Sequence, residues 1–205
     1  SPLRQLNEHN NLTNTKMSEN FIGLFQNTVR ECWNNPALSD YRKSTITYGQ
    51  LAEKIETLRI LWEKAGLESG AKIAINAKSS ANVVTLVMAA VSQGKVAVQL
   101  YNVFTPSDIQ QLVNHSDSRI LYTEARQFSA MDFEAMPALV GAIDANTGEL
   151  LAERNGFGDL YAGASKMFAE LHPDGMKPED FNCDVRDQEE VCTIMYTSGE
   201  TGNPK

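Results

Sequence analysis

Apolar positions recur along this chain with two different periods, and the alternation between the periods predicts its architecture. Phe21, Leu24, Phe25, Val29 and Cys32 fall at helical spacing behind a Ser18 cap with Glu19 in the first turn, which predicts a helix over 18–33. A loop holding Asn34, Asn35 and Pro36 follows. Thr45-Ile46-Thr47 is a β-branched run, and Thr47-x-x-Gln50 has the form of a capping box opening a second helix that buries Leu51, Ile55, Leu58 and Trp62. Gly66 is expected to close that helix in a left-handed conformation, ahead of a turn over Leu67-Glu68-Ser69-Gly70.

From there, short apolar runs alternate with helical patterns. Ala71 to Asn76 reads as a buried strand, Ser80 to Val91 as an apolar helix ending near Gly94, and Val96 to Leu100 as a second strand. Thr105-Pro106-Ser107-Asp108 supplies a capping Thr, a Pro in the first turn and an acid at the third position, so a helix is expected to about Ser116. Arg119 to Thr123 and Ala138 to Ile143 are further strands. Asp144 to Asp187 carries Asn155-Gly156, Pro173-Asp174-Gly175 and Pro178, and is read as surface turns around one more helix holding Phe168 and Leu171. Cys192 to Tyr196 reads as a last strand. Strands alternating with helices predict an α/β fold, with a doubly wound, mainly parallel sheet flanked by helices. Residues 1–17 are polar, lack an apolar period and are read as an N-terminal arm, leaving 18–205 as the folded part.

Composition narrows the function. With 205 residues, 42% apolar and 21% charged, the chain has the make-up of a globular protein, and its net charge of −8 disfavours nucleic acid and anionic membrane surfaces as partners. The longest mostly apolar stretch, Ala81 to Val91, is broken by Asn82 and Thr85 and is too short for a transmembrane segment. Cys32, Cys183 and Cys192 form no C-x-x-C pair, so neither a disulfide framework nor a zinc site is expected, and reduced thiols fit a cytoplasmic setting. Cys192 alternates with Ile194 and is expected to be buried, while His115 is expected to be a solvated surface residue.

The chemistry concentrates after the last strand, in Thr197-Ser198-Gly199-Glu200-Thr201-Gly202-Asn203-Pro204-Lys205. A strand running into such a loop is suited to gripping phosphate. Gly199 and Gly202 let the backbone approach an anion, the Thr and Ser hydroxyls donate, successive N–H groups can form an anion-binding nest, and Lys205 adds positive charge. Only Glu200 and Thr201 separate the two glycines, so the spacing is not that of a Walker loop. Thr197, Ser198, Gly199, Glu200, Thr201, Gly202 and Lys205 are therefore the candidate phosphate-binding residues; no catalytic or metal-ligating side chain is singled out.

Tyr196 to Lys205 resembles the signature of the adenylate-forming (AMP-binding) enzymes, Y-T-S-G-[ST]-T-G-x-P-K-G, matching at Tyr196, Thr197, Ser198, Gly199, Thr201, Gly202, Pro204 and Lys205 and departing at Glu200. Three upstream segments resemble the same family in the same order: Ile46 to Leu51, Gly66 to Ile75 with Ala71 where Asp is usual, and Val91 to Val98, followed by Gln99 where Pro is common. The resemblance is closest to acyl-CoA synthetases and fatty-acid–CoA ligases. It implies a small-molecule carboxylate substrate, with ATP, Mg²⁺ and coenzyme A as cofactors. An acyl-adenylate and pyrophosphate would form first, and a thioester afterwards. It also implies that this stretch is the first part of a longer enzyme, interrupted at the phosphate loop, so that the 205 residues alone are expected to be inactive and to self-associate through an exposed packing surface.

Glu200 leaves an alternative open. A carboxylate about 4 Å from a phosphate charge is repelled by roughly 1–4 kcal/mol, depending on the effective dielectric. Either Glu200 points to solvent or pairs with a cation, or the chain is a non-catalytic nucleotide-binding or interaction module of the same fold.

Overall fold

The computed structural model describes residues 21–185 and 192–196. Helix α1 (Phe21–Glu31) leads into β1 (Pro36–Ser39), which pairs antiparallel with β2 (Thr45–Thr47). Helix α2 (Tyr48–Lys64) starts where the capping box requires: Gln50 N–H donates to Thr47 Oγ1 at 3.2 Å, and Thr47 N–H donates back to Gln50 Oε1 at 2.9 Å. It ends at Gly66, whose φ of +78° turns the chain so that Leu67 N–H donates to Trp62 O at 2.9 Å.

The main sheet follows from β3 (Lys72–Ile75), α3 (Ala81–Ser92), β4 (Val96–Gln99), α4 (Pro106–Ser116), β5 (Ile120–Thr123), a short α5 (Ala125–Phe128), β6 (Gly141–Asp144), β7 (Leu150–Glu153), α6 (Phe157–Ala162), α7 (Ala164–Leu171) and β8 (Thr193–Met195). The order across the sheet is β7-β6-β5-β3-β4-β8, parallel throughout except for the antiparallel β6–β7 pair. From β4 the chain crosses back over β3 to β5, so the winding reverses around β3.

Strand alternation divides the interior in two. Ile73, Ile75, Ala97, Ile120, Tyr122 and Ile143 face a core shared with Leu51, Ile55 and Trp62 of α2 and Leu86, Ala89 and Ala90 of α3. Ala74, Val98, Leu121 and Ala142 face a second core with Ile109, Leu112 and Val113 of α4. Helices thus cover both faces, which is the doubly wound arrangement expected of strands apolar on both sides. Trp62 is fully buried and donates its indole N–H to the Tyr122 hydroxyl at 3.3 Å; burial of one such side chain contributes about 1.5–3 kcal/mol.

Four expectations change. The described part of the first helix is Phe21–Glu31; the Ser18 cap and the arm over 1–17 lie outside the described residues. The segment at Pro36 is a strand and not a loop, because β2 offers it an edge, and Pro36 stands at the strand's first position, where its missing N–H costs least. The strand expected over 138–143 begins only at Gly141, since Arg154 draws its guanidinium against the carbonyls of Met136 and Leu139 and holds them in a turn. The region read as turns around one helix contains β7 and two helices. Asp144 makes the β6–β7 hairpin by accepting the N–H groups of Asn146 and Thr147, each at 2.9 Å.

Candidate functional site at the carboxyl ends of the parallel strands

In a sheet wound this way, ligands bind in the crevice outside the carboxyl ends of the strands, near the point where the winding reverses. Here β3, β4 and β8 end side by side. Asn76, directly after β3 and only 1% exposed, ties β3 to its two neighbours β4 and β5: its amide donates to Leu100 O at 3.2 Å and Tyr101 O at 3.0 Å, and its Oδ1 accepts the Thr123 hydroxyl at 3.2 Å. One side chain therefore fixes the exits of β3, β4 and β5.

A cleft of about 450 Å³ opens over these ends. Its apolar wall is formed by Val83, Val84, Val87 and Met88 of α3, and its polar lining by Lys78, Ser79, Gln99 and Asn102, with Met195 of β8 at its border. Lys78 is the charged residue of that lining. A second cavity, of about 620 Å³, lies between α2, the start of α3 and the β6–β7 hairpin, bordered by Gln50, Asn82 and Thr147.

Strand β8 joins the sheet through β4, with Ala97 N–H donating to Cys192 O at 3.0 Å, and runs to Tyr196. Tyr196 is 7% exposed, and burial raises its phenol above the ordinary value. Thr197, Ser198, Gly199, Glu200, Thr201, Gly202 and Lys205 lie outside the described residues. Their point of attachment, the end of β8, stands at the border of the cleft.

His115 is exposed, as expected, but it also makes a contact: its Nδ1 and the Tyr196 hydroxyl are 2.7 Å apart, joining α4 to the residue after β8 in a way that sequence proximity does not reveal. One side chain differs from expectation. Cys192 is exposed, because it precedes β8 at the margin of the sheet, where strand alternation no longer buries it. Asn76 escaped the sequence reading; a lone Asn closing the run Ile73-Ala74-Ile75 was the available sign. Among the described residues, no group of three or more His, Cys, Asp or Glu side chains is placed to hold a metal ion, and no helix is long and apolar enough to cross a membrane.

A mainly parallel, doubly wound sheet with helices on both faces and β8 ending at its carboxyl edge defines the α/β class of this protein. The family model described as AMP-binding enzyme matches residues 25–205, and the chain belongs to that family. It is 26% identical over 200 residues to long-chain-fatty-acid–CoA ligase 1 of Schizosaccharomyces pombe, covering 93% of this chain and 28% of the relative. It is 27% identical over 165 residues to acyl-CoA ligase sidI of Aspergillus fumigatus, covering 78% of this chain and 28% of the relative. The chain thus spans less than a third of the length of these curated relatives. In fold it is similar to the anthranilate CoA ligase AuaEII solved with anthranoyl-AMP, with a TM-score of 0.69 at 18% identity over 90% of this chain and 33% of that one.

Proposed function

We propose that residues 18–205 form the first part of the AMP-binding N-terminal domain of an ATP-dependent acyl-CoA synthetase in the cytoplasm, of the kind that serves fatty-acid metabolism. In that reaction a carboxylate oxygen attacks the α-phosphorus of ATP, the bond to the bridging oxygen breaks, and pyrophosphate leaves. The thiol of coenzyme A then displaces AMP from the acyl-adenylate to give the thioester. No protein nucleophile is required.

The observation that carries the proposal is that β8 ends at Met195, at the carboxyl edge of the sheet, with the adenylate-forming signature starting at the next residue, Tyr196. Backbone N–H groups at Gly199 and Gly202, the hydroxyls of Thr197, Ser198 and Thr201, and Lys205 would meet the charge that develops on the departing phosphates of ATP–Mg²⁺.

Calorimetric titration of ATP–Mg²⁺ and of pyrophosphate, into the 205 residues and into the full polypeptide, tests the proposal. Binding by the full polypeptide, weakened at least tenfold by Lys205→Ala, supports it; a full polypeptide that binds neither ligand refutes it. Glu200 favours the second reading, a non-catalytic nucleotide-binding or interaction module. A gain above tenfold in ATP affinity on Glu200→Thr would show that the carboxylate opposes the nucleotide.

The exposed side chains of Phe21, Leu24, Val84 and Met195 support self-association of the 205 residues through an apolar packing surface. Size-exclusion chromatography giving a clean monomer that binds no hydrophobic dye would count against it.

A further inference from the structure

Tyr196 is the residue through which the sheet passes into the proposed nucleotide loop, and it is held from an unexpected side. Its ring lies in the core beneath α4, together with Ile109, Leu112 and Val113. Its hydroxyl is 2.7 Å from His115 Nδ1, and the two rings meet edge to face, with centroids 5.8 Å apart and planes at 77°. His115 stands in the last turn of α4, an eleven-residue helix fixed at its start by the Thr105–Asp108 capping box and stopped by Asp117 with φ of +54°. The helix fixes the backbone of His115, and its exposed side chain is placed by the contact with Tyr196.

We propose that His115 is a positioning residue for nucleotide binding: by holding the Tyr196 hydroxyl it fixes the point and direction in which the chain leaves β8. The inference rests on the nucleotide reading of Thr197 to Lys205. An anion grip made of backbone N–H groups depends on placement to within about half an ångström, so freedom at its first residue spreads into every donor after it. The phenol O–H can donate to His115 Nδ1 when the imidazole carries its proton on Nε2, and the 2.7 Å separation suits that bond.

The test is a double-mutant cycle in the full polypeptide, with ATP–Mg²⁺ and inorganic pyrophosphate titrated separately by calorimetry. His115→Ala and Tyr196→Phe should each weaken both ligands by roughly three- to tenfold, the range of one hydrogen bond. The double variant should be no weaker than either single variant, because both remove the same contact. His115→Asn, whose amide oxygen can accept in place of Nδ1, should restore most of the loss. Circular dichroism and thermal melting report on the fold in parallel, and Tyr196→Phe, which removes one oxygen, carries the test should His115→Ala fail to fold. Affinities within twofold of wild type in folded single variants, or fully additive effects in the double variant, would overturn the proposal. A wild-type polypeptide that binds neither ligand would overturn the nucleotide reading and this inference with it; wild-type binding that is indifferent to His115 would overturn the inference alone.

Discussion

Glu56 on α2 lies 3.2 Å from Nε2 of His172, the residue that closes α7, while Arg59 grips the same carboxylate at 2.6 and 2.9 Å. This contact ties α7 to the central helix α2 across 116 residues of sequence. Burial alone would raise the Glu56 carboxyl, but the hydrogen bonds and charges of Arg59 and His172 outweigh it and hold the group below its ordinary value of 4.5.

That balance gives a pH dependence with a definite sign. A depressed carboxylate contributes stability that is complete above pH 4.5 and is lost as pH falls through the folded value. Glu56→Gln is expected to lose about 1–3 kcal/mol at pH 7. Urea midpoints measured at pH 7 and pH 3.5 should show the gap to wild type shrinking at the lower pH. A gap of the same size at both would remove Glu56 as the source.

At Gly141, an added Cβ would stand 2.4 Å from Cδ1 and 2.5 Å from Cε1 of Phe157, a ring that is 1% exposed. The ring cannot retreat without opening the core. Gly141→Ala should therefore cost about 1–3 kcal/mol, and Phe157→Leu in the same chain should return part of it. Thermal melting of the three variants decides; a double variant as unstable as the sum of the singles would show that the two residues do not compete for space.

Asn76→Ala should cost about 2–4 kcal/mol in urea unfolding, since it strands the buried Leu100 carbonyl and the Thr123 hydroxyl and leaves a void at the strand exits. Thr123→Val added to it should cost much less than Thr123→Val in wild type, because the hydroxyl has already lost its partner. Equal costs in the two backgrounds would contradict the network.

Burial pushes the Cys183 thiol up to about 11, against the opposing effects of Arg30 and a Ser92 hydrogen bond. At pH 8 only on the order of one in a thousand such thiols is a thiolate. Iodoacetamide at that pH should label Cys183 at least about a hundredfold faster in denaturant than in the folded chain. Comparable rates would mean that the 181–185 segment opens readily.

Much of this was legible in the chain. Capping boxes at Thr47 and Thr105 and the left-handed Gly66 follow from local chemistry, and all three stand where their spacing puts them. β7 was not legible, because Leu150-Leu151-Ala152-Glu153 has no alternation and becomes a strand only when β6 presents an edge to it. The candidate loop was legible as residue types in order, but the His115–Tyr196 contact that approaches it was not. It joins residues 81 apart that meet only after α4 has packed on the sheet.

The sequence by itself determined the α/β class, the helix starts and turns, and the family, because caps, periodicity and a phosphate-loop signature are encoded within a few residues of one another. Only the tertiary structure decided which buried polar groups hold the molecule together: Asn76 across three strand ends, Glu56 between α2 and α7, and His115 against Tyr196. A hydrogen bond between distant segments leaves no periodic trace in either one, and it exists only once apolar burial has brought the two together.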